Sequence, residues 1–277
     1  LSKIIRELER DLGCPIFDRT SRGMIPTVRG EEFLHYAKGI MEQEAQLDKL
    51  CSRNKECPRE IRLCGPHASY ISSTLKNFLK EDDRLFTTNV RYKETNSKDV
   101  VRLVSSKEFD LGIVRCQVFY EPFFLKMIQD EHLDSKVLWQ FSPKVLMSPS
   151  HPLAGKEPLD HLDFSQSVEL LQGDIQYPSF TPENTDCVLP DSDPRHTIYI
   201  YDRGSQYEFL RHLPGAYMWT SPVPYSTLTE AKLIQRECTR PDNVFKDLLV
   251  CRSNYRLSKA ETELTQWLGR TISQLSD

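Results

Sequence analysis

Three polar residues lie at the ends of predicted strands or the starts of predicted helices, where together they could bind an anion. Ser69 and Ser97 each stand at or just before a predicted helix, whose free N–H groups and dipole attract negative charge. Arg115 follows a predicted strand directly, and a guanidinium there can donate two parallel hydrogen bonds to a carboxylate. Each residue alone is equally typical of a helix cap or a surface ion pair. Their convergence on one edge of a sheet favours a small, anionic ligand.

The elements that would position these residues alternate between strand and helix. Apolar runs predict strands at 61–64, 87–93 and 110–114, and apolar spacing predicts helices at 70–80 and 98–106 between them. This order implies parallel strands joined by right-handed crossovers, and ligands of such sheets gather at the carboxyl ends of the strands. Two further polar side chains belong to that rim: His67 and Asn96.

Composition narrows the classes of protein. The 277 residues exceed one typical domain, and 39% hydrophobic residues exclude wholesale disorder. No apolar run approaches the roughly 18 residues of a membrane span, and the N-terminal residues lack the plan of a signal peptide. We therefore expect a cytoplasmic protein that has no membrane partner. The eight cysteines form no C-x-x-C pair and predict neither a metal site nor another cofactor.

The net charge of −4 argues against a wholly basic chain, but the first 30 residues carry six Lys or Arg against four Asp or Glu. Apolar residues recur there at helical spacing up to Leu12, Gly13 ends the helix, and a basic loop follows. Such a helix can enter the major groove of DNA while the loop reaches phosphate or the minor groove, although a charged helix face is usually only solvated. Six residues are candidates for this contact: Ser2, Lys3, Arg6, Arg19, Thr20 and Arg22.

The same segment resembles the LysR-type transcriptional regulators. The stretch L-S-K-x-I-x-x-L-E-x-x-L-G-x-x-I-F-x-R from Leu1, followed by Thr27-x-x-Gly30, is similar to the recognition helix and wing of that family. It departs at Ile16, where the family has Leu, and at 25–27, where the family has Leu-Thr. Because the chain begins inside the recognition helix, we expect a DNA-binding module whose first helices are missing. The segments at 109–113 and 148–154 also resemble the effector domain of the family.

The resemblance implies the fold class and the domain organisation. It implies an α/β chain with a partial winged helix-turn-helix at 1–30, a linker helix and hinge at 31–58, and a two-lobed, type 2 periplasmic-binding-protein-like effector domain at 59–277. Lobe I would comprise 59–141 and 247–277, and lobe II would comprise 142–246, with an irregular loop at 176–196 that holds four prolines. Three lobe II residues are then expected to face the rim of lobe I: Gln172, Arg203 and Ser205.

The linker helix bears on the partners of the chain. Phe33, Ile40 and Leu47 recur every seven residues, which is typical of a coiled-coil seam, although a helix packed on its own domain accounts for the spacing equally well. The resemblance favours pairing of two chains, so we expect a homodimer, or a homotetramer, bound to an operator in double-stranded DNA. RNA polymerase is a further expected partner. The sensed effector would be a small, anionic metabolite that changes the geometry of this assembly.

Other functions compete with this interpretation. An enzyme needs a nucleophile with a base or clustered metal ligands, and the seven scattered histidines and absent catalytic motifs predict no enzyme. A redox-sensing regulator could join two cysteines of lobe II, Cys187 and Cys238. A solute-binding protein of the same fold, without DNA binding, is the third alternative, and the basic N-terminal segment argues against it.

Overall fold

A computed structural model describes residues 5, 8–10, 12–20, 23–51, 59–81, 88–174, 196–239 and 244–276 of the chain. These residues belong to two compact units, 1–57 and 58–277, and each is described by itself. The predicted hinge at 54–58 and nearly all of the predicted irregular loop at 176–196 lie outside the described residues. Among the described helices, none is both long enough and apolar enough to cross a lipid bilayer.

In the first unit, an antiparallel hairpin precedes a long helix. Strand β1 (Phe17–Thr20) pairs with strand β2 (Gly23–Pro26), and helix α1 (Val28–Cys51) follows. The Thr27 hydroxyl caps this helix because it accepts the N–H of Gly30 at 2.9 Å. The hairpin lies where the sequence predicts a basic wing, and the helix lies where the sequence predicts the linker.

Two residues of the N-terminal motif hold the hairpin in place. The Glu9 carboxylate accepts the backbone N–H groups of Ile16 and Phe17 at 3.0 and 3.1 Å. Gly30 lies against the same turn, and a Cβ added to it would stand 1.9 Å from the Ile16 carbonyl oxygen. The glutamate satisfies two donors and the glycine permits a close backbone approach, so both positions of the motif have a structural reason.

The second unit is a two-lobed α/β domain, which confirms the predicted fold class. Its first sheet and the helices on it, called lobe I here, comprise β3 (Arg59–Gly65), α2 (Ser69–Glu81), β4 (Thr88–Glu94), α3 (Ser97–Ser105), β5 (Leu111–Gln117), α4 (Glu121–Asp130), β6 (Leu133–Phe141), β12 (Phe245–Arg252) and α7 (Lys259–Ser276). The strand order is β4-β3-β5-β12-β6. Strand β3 is parallel to β4 and β5, as predicted, but β12 runs antiparallel to β5 and β6 because it returns from the other lobe.

Lobe II is the second five-stranded sheet with its helices. It comprises β7 (Lys144–Met147), β8 (Val168–Gln172), β9 (Thr197–Ile200), α5 (Arg203–His212), β10 (Ala216–Thr220), α6 (Tyr225–Ala231) and β11 (Ile234–Arg236). The strand order is β11-β7-β10-β8-β9, with β8 parallel to both β9 and β10. The chain enters this lobe between β6 and β7 and leaves it between β11 and β12, so two connections join the lobes.

Apolar side chains on both faces of each sheet form the cores. Helices α2 and α7 cover one face of the lobe I sheet, where Tyr70, Leu264 and Leu268 are fully buried. Helices α3 and α4 cover the other face through Val100, Phe124 and neighbouring residues. Burial of a large apolar side chain contributes about 1.5–3 kcal/mol, so these layers hold lobe I rigidly enough to fix its rim.

Candidate functional site

Polar side chains from both lobes meet between them. Lobe I contributes residues from the β3–α2 loop, the first turn of α2 and the end of β4, while lobe II contributes the residue two positions after β8 and two residues of α5. We call this set the interlobe cluster: His67, Ser69, Ser72, Glu94, Asp174, Arg203 and Tyr207. The four charged or ionisable members are largely but not fully buried, with side-chain exposures of 16% to 28%.

Arg203 of lobe II is held by three groups of lobe I. Its Nη2 donates to Glu94 Oε1 at 2.6 Å, and its Nη1 donates to the Ser69 and Ser72 hydroxyls at 3.3 and 3.2 Å. The Ser69 hydroxyl also lies 2.7 Å from the Tyr207 hydroxyl. Because Tyr207 follows Arg203 by four residues on α5, one face of that helix carries both contacts. The guanidinium therefore rests in a site for a carboxylate that Glu94 now occupies.

His67 joins a carboxylate of each lobe. Its Nδ1 lies 3.1 Å from Glu94 Oε2, and its Nε2 lies 3.3 Å from Asp174 Oδ2. A neutral imidazole has a single N–H and can satisfy only one of these acceptors, whereas the imidazolium ion donates to both. Burial lowers the pKa of His67, but the hydrogen bonds and charges of Glu94 and Asp174 outweigh it and raise that pKa above its usual value. The protonated form thus fits the geometry.

The two carboxylates of the cluster differ in how well they are satisfied. Burial would raise the pKa of Glu94, yet the hydrogen bond of His67, the charge of Arg203 and the Tyr92 hydroxyl lower it, so Glu94 is ionised. Asp174 Oδ1, by contrast, is buried and accepts no hydrogen bond from the described residues. A buried acceptor without a donor costs about 1–3 kcal/mol. The cluster consequently lacks one hydrogen-bond donor.

Three of the residues selected from the sequence lie in this cluster, namely His67, Ser69 and Arg203. The structure does not bring Asn96 and Ser97 to it. The Asn96 side chain caps α3 by accepting the Asp99 N–H at 2.9 Å. The Ser97 hydroxyl donates to the Arg115 carbonyl at 2.6 Å and accepts the Arg115 N–H at 3.0 Å, so it joins α3 to β5.

Arg115 was expected to bind a ligand carboxylate, and the structure corrects this expectation. Its Nε and Nη2 donate to the two oxygens of Asp247, at 2.8 and 2.7 Å. Asp247 lies directly opposite Arg115 in the antiparallel pairing of β12 with β5, and it also accepts the Tyr70 hydroxyl and the Trp139 indole N–H. The predicted two-pronged carboxylate contact therefore exists, but its partner is a buried residue of lobe I.

Gln172 and Ser205 shape lobe II beside the cluster. Gln172 donates to the Tyr201 carbonyl at 3.2 Å and accepts a hydrogen bond from Gln206. The Ser205 N–H donates to the Asp202 carboxylate at 2.8 Å, which caps the start of α5. These contacts set the position of α5, and thereby of Arg203.

Four members of the cluster were missed in the sequence: Ser72, Glu94, Asp174 and Tyr207. Glu94 had a usable signal, because it ends a strand immediately before the selected rim residues. Ser72 and Tyr207 also had one, since each lies one helical turn beyond a selected residue, Ser69 or Arg203. Asp174 follows β8 by two residues, and without that strand in the prediction nothing marked it.

The predicted DNA contacts fall mostly where no description is given. Ser2, Lys3, Arg6 and Arg22 lie outside the described residues, as does Cys187 of the redox alternative. Arg19 and Thr20 belong to β1, of which only the backbone is described at these positions. Cys64 and Cys116 are buried in lobe I, and burial raises the pKa of each thiol to about 12. At neutral pH these two cysteines are thiols, which oxidants attack slowly.

Contact between the lobes should weaken as the pH rises. Since the pKa of His67 is raised in the folded chain, its contribution to stability is complete below the ordinary histidine value of 6.5 and is lost as the pH passes the folded value. The thermal midpoint of the second unit should therefore fall as the pH rises above that value. His67→Gln should flatten this profile, whereas His196→Gln, at an exposed position, should not. A wild-type profile that is flat or rising over the same range would contradict the bridge.

A two-lobed α/β domain whose lobes meet at a charged cluster is the architecture of a ligand-binding domain. Residues 58–174 match the LysR substrate binding domain, and residues 1–31 match the bacterial regulatory helix-turn-helix protein of the lysR family. The chain belongs to the LysR-type family of bacterial regulators, which confirms the resemblance seen in the N-terminal motif.

Relatives and solved structures agree with this assignment. An uncharacterized HTH-type transcriptional regulator of Sinorhizobium fredii is 32% identical over 134 residues, which is 41% of this chain and 44% of the relative. A RuBisCO operon transcriptional regulator of Allochromatium vinosum is 22% identical over 56% of this chain and 48% of the relative. The matched region thus spans about half the length of these relatives.

Two solved structures share the fold. Full-length OxyR of Pseudomonas aeruginosa has a TM-score of 0.53 at 15% identity, over 98% of this chain and 88% of that chain. A mutant OxyR of Corynebacterium glutamicum has a TM-score of 0.54 at 17% identity, over 99% of this chain and 84% of that chain. At these identities the likeness concerns the fold alone.

Proposed function

We propose that the chain is a DNA-binding transcriptional regulator whose two-lobed domain binds a small-molecule effector at the interlobe cluster. The observation that carries the effector site is the placement of Arg203: a cation of one lobe lies against a carboxylate and two hydroxyls of the other. A ligand that contacts both lobes favours one arrangement of them over others, and this population shift is the signal. The family assignment supports the DNA-binding half of the proposal.

The effector carries a carboxylate. Arg203 already holds one carboxylate, that of Glu94, together with the Ser69 and Ser72 hydroxyls. A ligand carboxylate competes for the same donors, because a guanidinium binds this group through well-aligned, charge-assisted hydrogen bonds. Exchange of an internal carboxylate for an external one would release Glu94 and change how the lobes are joined.

The first unit supplies the contacts to DNA and to a second chain. Ser2, Lys3 and Arg6 read the major groove of the operator, while Arg19, Thr20 and Arg22 reach from the hairpin to phosphate or the minor groove. Tyr36, Ile40 and Met41 are exposed apolar residues on α1, which supports a homodimer through this helix. A homotetramer and contact with RNA polymerase extend the same proposal, and the protein would act in the cytoplasm.

Substitutions in the first 30 residues test this proposal. Binding sites would be selected from random duplex DNA with the full-length protein, and affinities would then be measured at several salt concentrations. Lys3→Ala should cost about 1–3 kcal/mol and relax sequence preference, whereas Arg22→Ala should weaken all sites alike and reduce the salt slope by about one. Lys126→Ala, on the exposed side of α4, is the matched control. Unchanged affinity and salt slope in both test variants would refute the proposed docking.

A further inference from the structure

We infer that the effector is a zwitterion, with an ammonium group close to its carboxylate, as in an α-amino acid. This inference rests on the proposed function, because it assigns the chemical class of the ligand that binds the interlobe cluster. It differs from the expectation of a simple anion drawn from the sequence. The reasons are the charge of the cluster, the unsatisfied Asp174 oxygen and the order in which the charged groups lie.

The charge of the cluster disfavours a simple anion. Glu94 and Asp174 contribute two negative charges and Arg203 contributes one positive charge, while the imidazolium form of His67 brings the sum to zero. A ligand with only a carboxylate would take Arg203 from Glu94 and leave the largely buried cluster with an excess negative charge. Such a charge is costly away from water unless it is paired. An ammonium group on the same ligand restores the balance.

Asp174 provides an acceptor for that ammonium group. Its Oδ1 atom is buried and has no hydrogen-bond donor among the described residues, whereas its Oδ2 atom is already taken by His67. An ammonium group has three donors and no acceptor, so it fits an unsatisfied carboxylate oxygen. Glu94, once released from Arg203, would be the second acceptor. A neutral or purely anionic ligand leaves this need unmet.

The order of the groups places the two ligand charges close together. Glu94 lies between the two sites, since its Oε1 contacts Arg203 at 2.6 Å while its Oε2 contacts the His67 ring that reaches Asp174. A carboxylate on Arg203 and an ammonium beside Asp174 are therefore neighbours, which suits an α-amino acid better than a long amino-carboxylic acid. Each ligand charge would contact both lobes, so both would draw the lobes together.

The test uses the 277-residue chain and matched sets of small molecules. The 20 common amino acids would be screened by thermal shift, together with small carboxylic acids and amines, and affinities would be measured by calorimetry. Each amino acid that binds would be compared with its deaminated acid and its decarboxylated amine. For leucine, these probes are 4-methylpentanoate and 3-methylbutylamine. We expect at least one amino acid to bind, and both of its partial analogues to bind about tenfold more weakly or worse, which is the effect of one lost charge-assisted hydrogen bond.

A variant of the chain separates the two ligand charges. Asp174→Asn should weaken the amino acid by about tenfold and leave the deaminated acid unaffected or bound more tightly. Asp130→Asn, at the exposed end of α4, should change neither affinity. Asp174→Asn removes a charge but little volume, and an unchanged far-UV spectrum would show that it folds.

The outcomes distinguish the inference from the proposed function. If the deaminated acid or the amine binds as tightly as the amino acid, the zwitterion is refuted while effector binding stands. The zwitterion is likewise refuted if carboxylic acids bind and no amino acid does. If no compound of any class binds, the proposed effector site itself is wrong. An amino acid whose affinity does not respond to Asp174→Asn would refute the assigned position of the ammonium group.

Discussion

Replacement of Asp247 with alanine should lower the free energy of unfolding of the second unit by about 3–5 kcal/mol, the usual cost of leaving one partner of a buried ion pair alone. Asp247 is fully buried, and its loss would strand the Arg115 guanidinium between β5 and β12. It would also remove the acceptor of the Tyr70 hydroxyl and of the Trp139 indole N–H, at 2.8 and 3.1 Å. Urea denaturation of the whole chain, followed by tryptophan fluorescence, measures the change.

Two further variants identify the cause of this loss. Arg115→Met combined with Asp247→Leu removes both charges and should recover part of the stability, because a buried ion pair is often replaceable by apolar residues. Glu237→Ala breaks the pair with Lys144 on the surface, where Glu237 is 86% exposed, and should cost less than about 1 kcal/mol. If Asp247→Ala costs no more than Glu237→Ala, the buried network contributes little to the fold.

The same network lies beside the connections between the lobes. The Arg115 guanidinium stands 4.8 Å from the centroid of the Phe141 ring, and Phe141 stacks on Phe245 with centroids 6.0 Å apart. Phe141 ends β6 before the chain enters lobe II, and Phe245 begins β12 as it returns. Arg115 therefore acts on the proposed signal through the frame that joins the lobes, and not through the ligand.

The case of Arg115 shows where sequence reasoning stops. Helix and strand periodicity predicted the alternating elements from 61 to 114, and the rim rule placed His67 and Ser69 correctly at the ends of strands and starts of helices. The rule did not reveal that Asp247, 132 residues further along the chain, pairs with Arg115. Local patterns carry no information on the register of a returning strand, so a paired arginine and an available one look alike.

Lobe II was the harder half to predict for a related reason. Strand β8 is short and mixed in polarity, and β9 has only four residues, so neither gives a clear alternating pattern. Without these strands the sequence offered no edge on which to place Asp174, and Arg203 was selected only through the family resemblance. The missing donor at Asp174 depends on packing between lobes, which no single-chain pattern records. The anionic effector expected from Ser69, Ser97 and Arg115 was thus inferred from an incomplete set of charges.

Gly30→Ala should disrupt the first unit and leave the second unit intact. The added Cβ would stand 1.9 Å from the Ile16 carbonyl oxygen and 2.9 Å from the Ile16 carbonyl carbon, so the backbone of the turn has to move. That movement breaks the hydrogen bond from the Thr27 N–H to Ile16 and weakens the Thr27 cap. We expect a loss of about 3 kcal/mol, seen as faster hydrogen exchange of residues 12–30 at unchanged exchange in 59–276.

Gly39→Ala provides the matched control, because it changes the same helix without a clash. Nothing lies within 4 Å of a Cβ at Gly39, and alanine in a helix interior is about 0.5–1 kcal/mol more stable than glycine. Exchange in α1 should therefore slow in Gly39→Ala and quicken in Gly30→Ala. Equal exchange in the two variants would show that the turn at Ile16 does not press on Gly30. If the proposed function holds, Gly30→Ala loses operator binding and keeps effector binding, because the glycine supports the DNA-contacting hairpin and the interlobe cluster lies wholly in the other unit.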